Sequence, residues 1–282
     1  MPELPEVETI RAGLTPLVVG REIRELHIHH PRLRWVIPAE QLTKETVGQT
    51  IRAIKRRGKY LLLACGSGHI LIHLGMSGRL QRVVANAPNA PHDHVVWLLD
   101  DGYQLRLNDP RRFGAVLWVE GEWRDHFLLA KLGPEPLETD FHAEYLHQQT
   151  RNRRIAIKHL LMNGAVVVGV GNIYASEALF LAKVHPALLA KELSKTQCAA
   201  LVVAVKQVLN AAIAQGGTTL RDYRQSNGQP GYFAIELQVY GRAQKPCLTC
   251  ATPIQSYVSG QRSTFYCPLC QPRPPEIEEM LR

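Results

Sequence analysis

The spacing of hydrophobic residues changes twice along the chain. Near the amino terminus apolar residues recur at steps of three and four, which predicts a short helix, limited by Pro16, with an apolar face of Val7, Ile10, Leu14 and Leu17. Residues 22–120 carry short apolar or alternating runs, and those at 95–99 and 103–107 flank Asp100-Asp101-Gly102, which is typical of a β-hairpin. Because no helical pattern separates these runs, we expect an antiparallel β-sandwich.

The second half of the chain has helical spacing. Apolar residues recur every three or four positions over 153–162, 173–183 and 191–215. The last of these segments begins with a capping-box pattern from Ser194 to Gln197 and ends at Gly216-Gly217. The stiff, turn-rich segment 133–137 indicates a domain boundary. We predict an α+β multi-domain chain: an N-terminal helix with a β-sandwich at 1–132, a linker at 133–150, a helical domain at 151–236 and a C-terminal domain at 237–282.

Four of the six cysteines form two CxxC pairs separated by sixteen residues: Cys247, Cys250, Cys267 and Cys270. Such pairs supply four thiolates for one tetrahedral zinc ion and leave no open coordination position, so the predicted metal is structural, held in a C-terminal four-cysteine zinc-finger hairpin. Two disulfides are the alternative, which a cytoplasmic location disfavours. Cys65 and Cys198 stand alone in apolar surroundings, and we expect both to be buried.

Composition narrows the class of protein and of partner. The chain has 282 residues, is 45% hydrophobic and 21% charged, and carries a net charge of +8, which favours nucleic acid as a partner over a membrane. We see neither a signal-peptide pattern nor an apolar run near membrane-spanning length. We therefore expect a cytoplasmic protein without a membrane partner.

The first six residues suggest covalent chemistry. If Met1 is removed, Pro2 has a free secondary amine with a pKa near neutrality, a nucleophile able to form an iminium with a sugar carbon. Glu3 and Glu6 place two carboxylates nearby, as general acid–base catalysis requires. The alternative is an ordinary helix start, with proline and acidic residues in the first turn.

Several loops offer contacts to DNA. The basic run at 52–59 is either a solvated face or a phosphate-binding edge, and the glycine-punctuated loop at 168–172 is either a tight turn or a phosphate site. Met76 and Phe113 lie in polar, glycine-containing loops, where each is either a core residue or a wedge inserted between bases. Arg262, between the CxxC pairs, is placed at a hairpin tip, where it is either a phosphate-binding arginine or an ordinary exposed loop residue.

Seven motifs in order resemble bacterial formamidopyrimidine-DNA glycosylase, which removes 8-oxoguanine and ring-opened purines from double-stranded DNA. They are PELPEVET (2–9), RRGKY (56–60), HLGMSG (73–78), NDPRRFG (108–114), GVGNIYA (169–175), GGTTLRDY (216–223) and QRSTFY (261–266) with the zinc knuckles. The resemblance covers essentially the whole chain and implies a bifunctional glycosylase and abasic-site lyase. It also implies a helix–two-turns–helix over 153–183 and a monomer.

The resemblance implies a role for each matching residue. The expected catalytic residues are Pro2, Glu3 and Lys59: Pro2 attacks C1′ and Glu3 protonates the sugar, while Glu6 supports the site. Phosphates are expected to be held by Lys59, Asn172 and Arg262, and the emptied base position to be filled by Met76, Arg111 and Phe113. His92 is expected to make a further DNA contact. The extruded purine is expected to be covered by a loop that contains Thr218, Thr219, Arg221, Tyr223 and Tyr232.

Two alternatives share most of these features. Endonuclease VIII, which prefers oxidised pyrimidines, has the same Pro-Glu start and zinc finger. The placement of Met76 and of Arg111 with Phe113 on two loops, and the long 218–232 segment, favour the purine enzyme. A non-catalytic zinc-containing protein that binds damaged DNA would not need Pro2 and its carboxylates.

Overall fold

The computed structural model describes residues 2–216 and 237–272. These residues divide into two compact units, one containing 2–131 and the other containing 132–214 and 237–272. The first unit contains the helices α1 (Leu4–Val18) and α2 (Ala39–Thr46) and the strands β1 (Ile23–Ile28), β2 (Ala53–Arg57), β3 (Tyr60–Cys65), β4 (Gly68–His73), β5 (Arg79–Val84), β6 (Asp93–Leu99), β7 (Tyr103–Asn108) and β8 (Ala115–Glu120).

The first unit is the predicted antiparallel sandwich. One four-stranded sheet has the order β1-β6-β7-β5 and the other β2-β3-β4-β8. The predicted hairpin is β6 with β7, in which Trp97 pairs with Leu105. Inward-facing residues of both sheets, including Leu61 and Ile72, join Trp97 and Leu105 in one core. Every second residue of a strand faces this core, which is why the alternating runs were informative.

Helix α1 lies against this core. Val7, Ile10 and Leu14 are buried as predicted, but Val18 completes the apolar face and Leu17 is exposed. The prediction for Leu17 was therefore wrong. Pro16 lies inside the last turn of α1 and removes one backbone hydrogen bond there, but the helix continues to Val18, and the Val19 amide donates to Thr15 O at 3.1 Å.

The second unit is helical with a zinc hairpin. It contains α3 (Ala143–Thr150), α4 (Ile157–Leu161), α5 (Asn172–Leu181), α6 (Lys195–Ala214), β9 (Gln255–Ser259) and β10 (Arg262–Tyr266). Helix α5 packs on α6 and on β10. The capping box predicted at the start of α6 is present: the Gln197 amide donates to Ser194 Oγ at 3.1 Å, and the Ser194 amide donates to Gln197 Oε1 at 3.0 Å.

Helix α6 is long and apolar enough to cross a membrane, with a mean hydropathy of 1.5, contrary to the expectation from the sequence. It is the one such helix in the described parts of the chain. One such helix is weak evidence for a membrane span, because core helices pass the same test of length and composition, and α6 packs against α3 and α5.

Three short helical features differ from the sequence prediction. Helices α2 and α3 were not predicted, because each has eight residues and only two fully buried positions. The predicted helix at 153–162 is shortened to α4, because the backbone before it pairs elsewhere: the amide of Ala190 donates to Ile155 O at 2.8 Å, and the amide of Ile157 donates to Leu188 O at 2.8 Å. An amide bonded to another segment cannot also extend the helix.

Candidate active site and zinc centre

Pro2, Glu3 and Glu6 are all buried at the start of α1. Glu3 is the N-cap of α1, directly before Leu4, and its backbone amide donates to Glu6 Oε2 at 2.8 Å. Glu6 therefore fixes the backbone directly after Pro2. A helix start on the surface would leave these carboxylates in water, whereas here Glu3 is 2% and Glu6 1% exposed. If Met1 is removed, these buried carboxylates lie beside the amine of Pro2, which is the arrangement that acid–base catalysis needs.

Lys59 lies in the turn between β2 and β3, in the same unit as α1. The turn passes through Gly58, whose φ of +56° is a conformation that favours glycine. Helix α1 packs on both β2 and β3. The positive charge of Lys59 acts on His73, at the end of β4, where burial first and then Lys59 and Arg34 lower the pKa of the imidazole to about 4. His73 is therefore neutral at physiological pH.

The two loops that carry Met76 and Phe113 lie in backbone contact. A Cβ atom on Gly75, whose φ is +63°, would overlap the carbonyl carbon of Phe113. Met76 is 42% exposed and Phe113 48% exposed, so neither is a core residue. The Arg111 guanidinium carbon lies 4.9 Å from the centre of the Phe113 ring. The structure thus brings together the three residues expected to fill an emptied base position.

A buried carboxylate that the sequence analysis missed organises these loops. Asp109 is fully buried and accepts from Ser77 Oγ at 2.9 Å and from the Gly114 amide at 2.8 Å. Ser77 Oγ in turn accepts from the Arg111 amide at 3.2 Å. The signal available in the sequence was an Asp-Pro pair that opens a turn. We refer to residues 108–114, held in this way, as the wedge loop.

His92 lies beside the wedge loop. Its backbone oxygen accepts from the Asp109 amide at 3.1 Å, and its side chain is exposed. His94, two residues on, approaches Asp109 O through Nε2 at 2.9 Å. The predicted DNA-binding residue His92 therefore lies within the first unit near Met76, Arg111 and Phe113.

In the second unit, Asn172 and Arg262 lie close together. Asn172 begins α5, and its Nδ2 donates to Ser263 O at 3.0 Å, next to Arg262 at the start of β10. Lys158, which is buried, donates to the same Ser263 oxygen at 3.0 Å and to Thr264 Oγ1 at 2.8 Å. Arg262 follows the hairpin tip directly and is exposed, as predicted.

The four cysteines of the CxxC pairs form the zinc site. Their sulfur atoms all lie within 4.8 Å of one another, with 3.9 Å between Cys247 and Cys270 and 3.4 Å between Cys250 and Cys267. A tetrahedral site with Zn–S bonds of about 2.3 Å has sulfurs about 3.8 Å apart, so the donor set fits one structural zinc. Hydrogen bonds from Thr252 lower the pKa of the Cys250 thiol to about 6, whereas burial raises the pKa of the Cys267 and Cys270 thiols. Isolated Cys65 and Cys198 are fully buried, as expected.

The lesion-loop residues Thr218, Thr219, Arg221, Tyr223 and Tyr232 lie outside the described residues. Just after them, the chain is held by Glu177, whose carboxylate accepts from the amides of Gln238, Val239 and Tyr240 at 2.8, 3.0 and 2.8 Å. Burial raises the pKa of Glu177 despite these bonds. Sequence spacing on α5 gave no sign of this contact.

Comparison with known families matches three segments of the chain. Residues 1–116 match the formamidopyrimidine-DNA glycosylase N-terminal domain, residues 132–224 match the H2TH domain of that family, and residues 244–273 match a zinc finger found in FPG and IleRS. The matches agree with the sandwich, the helical region and the four-cysteine hairpin seen in the structure.

Individual relatives match along nearly the full length. The formamidopyrimidine-DNA glycosylase of Thioalkalivibrio sulfidiphilus is 54% identical over 271 residues, covering 96% of this chain and 100% of the relative. MutM (Fpg) from Thermus thermophilus, known from a crystal structure, has 37% sequence identity to this chain and a TM-score of 0.87, and the match covers 97% of this chain and 100% of that one. The Lactococcus lactis Fpg, solved in complex with DNA containing an abasic site, is 35% identical with a TM-score of 0.89, and the match covers 96% of this chain and 100% of that one. The chain belongs to the formamidopyrimidine-DNA glycosylase family.

Proposed function

We propose that this protein is a bifunctional DNA glycosylase and abasic-site lyase that excises oxidised purines from double-stranded DNA in base excision repair. The observation that carries the proposal is the full-length family match combined with the buried Pro2, Glu3 and Glu6 cluster. The Lactococcus lactis relative binds DNA with an abasic site, which is the product of base excision and the substrate of a lyase.

Pro2 is the proposed nucleophile. The lone pair of its amine attacks C1′ of the damaged nucleotide, the bond from C1′ to the base breaks, and the base leaves with the proton that the amine gives up. Glu3 protonates the ring oxygen of the sugar, so the ring opens and an iminium forms between Pro2 and C1′. The iminium acidifies the C2′ hydrogen; loss of that proton expels the 3′ phosphate, and a second elimination expels the 5′ phosphate. Glu6 supports the reaction by holding the Glu3 backbone.

The remaining residues hold opened DNA. A glycosylase reaches its target bond by extruding the base, which leaves a gap in the stack. Met76, Arg111 and Phe113 fill that gap, with Arg111 hydrogen-bonded to the unpaired cytosine. Lys59, Asn172 and Arg262 bind phosphates around the lesion, and His92 adds a DNA contact. The exposure of Met76 and Phe113 supports this role, because a wedge must be accessible before DNA arrives.

The wider assignments rest on the same proposal. The loop with Thr218, Thr219, Arg221, Tyr223 and Tyr232 closes over the extruded purine. We divide the chain into a catalytic domain at 1–132, a linker at 133–150, a DNA-binding helical domain at 151–236 and a zinc-finger domain at 237–282. The zinc ion stabilises the hairpin that carries Arg262 and takes no part in the chemistry. The enzyme acts as a monomer, on chromosomal DNA in the cytoplasm.

Borohydride trapping on a duplex with 8-oxoguanine opposite cytosine tests the proposal. Reduction of the iminium should give a covalent adduct whose cross-linked peptide begins at Pro2. The Pro2→Gly and Glu3→Gln variants should still bind the lesion duplex and lose cleavage, whereas Glu22→Gln, which removes a partly exposed ion pair with Arg24, should cleave normally. An adduct formed faster on an oxidised pyrimidine would support endonuclease VIII activity instead. Lesion binding with no adduct, once Met1 removal is verified, would indicate a binding protein.

A further inference from the structure

An ion pair links the helix that carries the proposed nucleophile to the turn that carries Lys59. Glu8 lies on α1, and its Oε2 accepts from Arg56 Nε at 2.9 Å, across 48 positions in the sequence. The other oxygen, Oε1, accepts from Arg11 on the same helix, at 2.9 Å from Nε and 2.6 Å from Nη2. The Glu8 carboxylate therefore bonds one arginine on its own helix, Arg11, and one on β2, Arg56.

Arg56 extends the link to the peptide group before Lys59. Its Nη1 donates to Gly58 O at 3.2 Å, and that carbonyl belongs to the peptide bond between Gly58 and Lys59. The guanidinium thus bridges Glu8 and the β2–β3 turn with two separate N–H groups. A planar guanidinium can hold two acceptors in fixed directions, which a lysine ammonium in its place would not do.

The environment makes this contact stronger than an ordinary surface ion pair. The side chains of Arg56 and Glu8 are 12% and 19% exposed, so solvent and salt screen them less than exposed pairs. Burial acts to raise the pKa of Glu8, but the hydrogen bonds from Arg11 and Arg56 outweigh it, and the pKa lies below its usual value. Glu8 is therefore charged at physiological pH and bonded to both arginines.

We propose that Glu8 and Arg56 are positioning residues for base excision: they fix Lys59, through the Gly58 carbonyl, relative to Pro2 and Glu3. This inference rests on the proposed roles of Pro2 and Lys59. Both ends of the link lie in the first unit, and α1 packs directly on β2. A group that must hold a phosphate beside the reacting sugar loses rate steeply when it is displaced by even about 1 Å.

A double-mutant cycle with Lys59 tests the link. Under single-turnover conditions with 8-oxoguanine duplex, we expect Glu8→Gln to lower the excision rate constant about tenfold, because Lys59 is no longer held in register. In a Lys59→Met background the same change should cost less than about twofold, since two residues that act through one contact are not additive. The matched control is Glu122→Gln, which removes an exposed ion pair with Arg124 in the same unit and should leave the rate unchanged.

The outcomes are distinct. An equal loss of rate from Glu8→Gln in both backgrounds, or no loss in either, would overturn the inference, because the effect would not pass through Lys59. If Glu8→Gln does not fold, the Arg56→Lys variant is used instead. The lysine keeps a positive charge near Glu8 but cannot also bridge to Gly58, so its loss of rate should likewise become smaller in the Lys59→Met background. Failure of the wild-type enzyme to form the Pro2 adduct would instead refute the proposed function.

Discussion

The imidazole of His73 should make the stability of the first unit depend on pH. His73 ends β4, its ring packs against Tyr60 with 4.8 Å between ring centres, and its Nδ1 accepts from the Gly75 amide at 3.0 Å. Protonation would convert Nδ1 into a donor and break that bond. Burial, followed by the charges of Lys59 and Arg34, lowers the pKa from 6.5 to about 4.

The sign and size of the effect follow from linkage. Because folding depresses the pKa of His73, the unfolded chain binds the proton more readily, so the free energy of unfolding falls as pH drops below about 6.5 and is fully retained above it. With pKa values of 6.5 unfolded and about 4 folded, the loss between pH 7.5 and pH 5 is about 2 kcal/mol. It approaches about 3 kcal/mol below pH 4.

Comparison of wild type with His73→Gln isolates this contribution. Urea unfolding of both proteins at pH 7.5, 6.5, 5.5 and 5 should show a smaller decline in the variant, by about 2 kcal/mol over the range. Other histidines with lowered pKa, such as His94 and His126, contribute equally to both proteins and cancel in the difference. Parallel pH profiles for the two proteins, or an NMR titration of His73 with a pKa near 6.5, would refute the reasoning.

Four further results are expected. Removal of zinc with a chelator should abolish DNA cleavage. Near-ultraviolet circular dichroism should show that the β-sandwich stays intact, because the metal lies in the other unit, and loss of the sandwich signal would contradict this. Gly75→Ala should destabilise the first unit by about 2 kcal/mol or more in thermal unfolding, since φ is +63° and the new methyl group overlaps the wedge loop; an unchanged melting temperature would argue against that contact. Lys158→Met should speed zinc release and lower the free energy of unfolding by about 2–3 kcal/mol, because two hydrogen bonds to β10 are lost. The control Lys206→Met removes one exposed hydrogen bond and should have little effect. A protein that retains Met1, verified by mass spectrometry, should bind lesion DNA without forming an adduct, because Pro2 is then an amide; an adduct from it would exclude Pro2 as nucleophile.

Local patterns predicted those parts of the molecule that depend on local physics. The zinc ligands follow from CxxC spacing, since two cysteines three apart reach one ion whatever surrounds them. The hairpin of β6 and β7 follows from alternation around an Asp-Gly turn. Helix α1 was predicted with one error, because periodicity does not distinguish Leu17 from Val18 near the end of a helix.

The contacts that position the site are long-range and could not be predicted in this way. Whether Met76 and Phe113 are core or exposed depends on how two loops meet, and their own neighbours in sequence do not decide it. The pair of Glu8 and Arg56 spans 48 positions, and Lys158 reaches Thr264 across 106. The roles of the site residues came from the family resemblance, and they stay predictions.

The two carboxylate oxygens of Asp109 hold the wedge loop at its base, apart from its exposed side chains. Both oxygens bond groups at the base of the loop, through Ser77 Oγ and the Gly114 amide, while Arg111 and Phe113 project from its exposed part. Substitutions at the tip therefore leave the scaffold bonds in place. The exposed side chains of Arg111 and Phe113 can therefore be replaced without removing either bond that Asp109 makes to hold the loop.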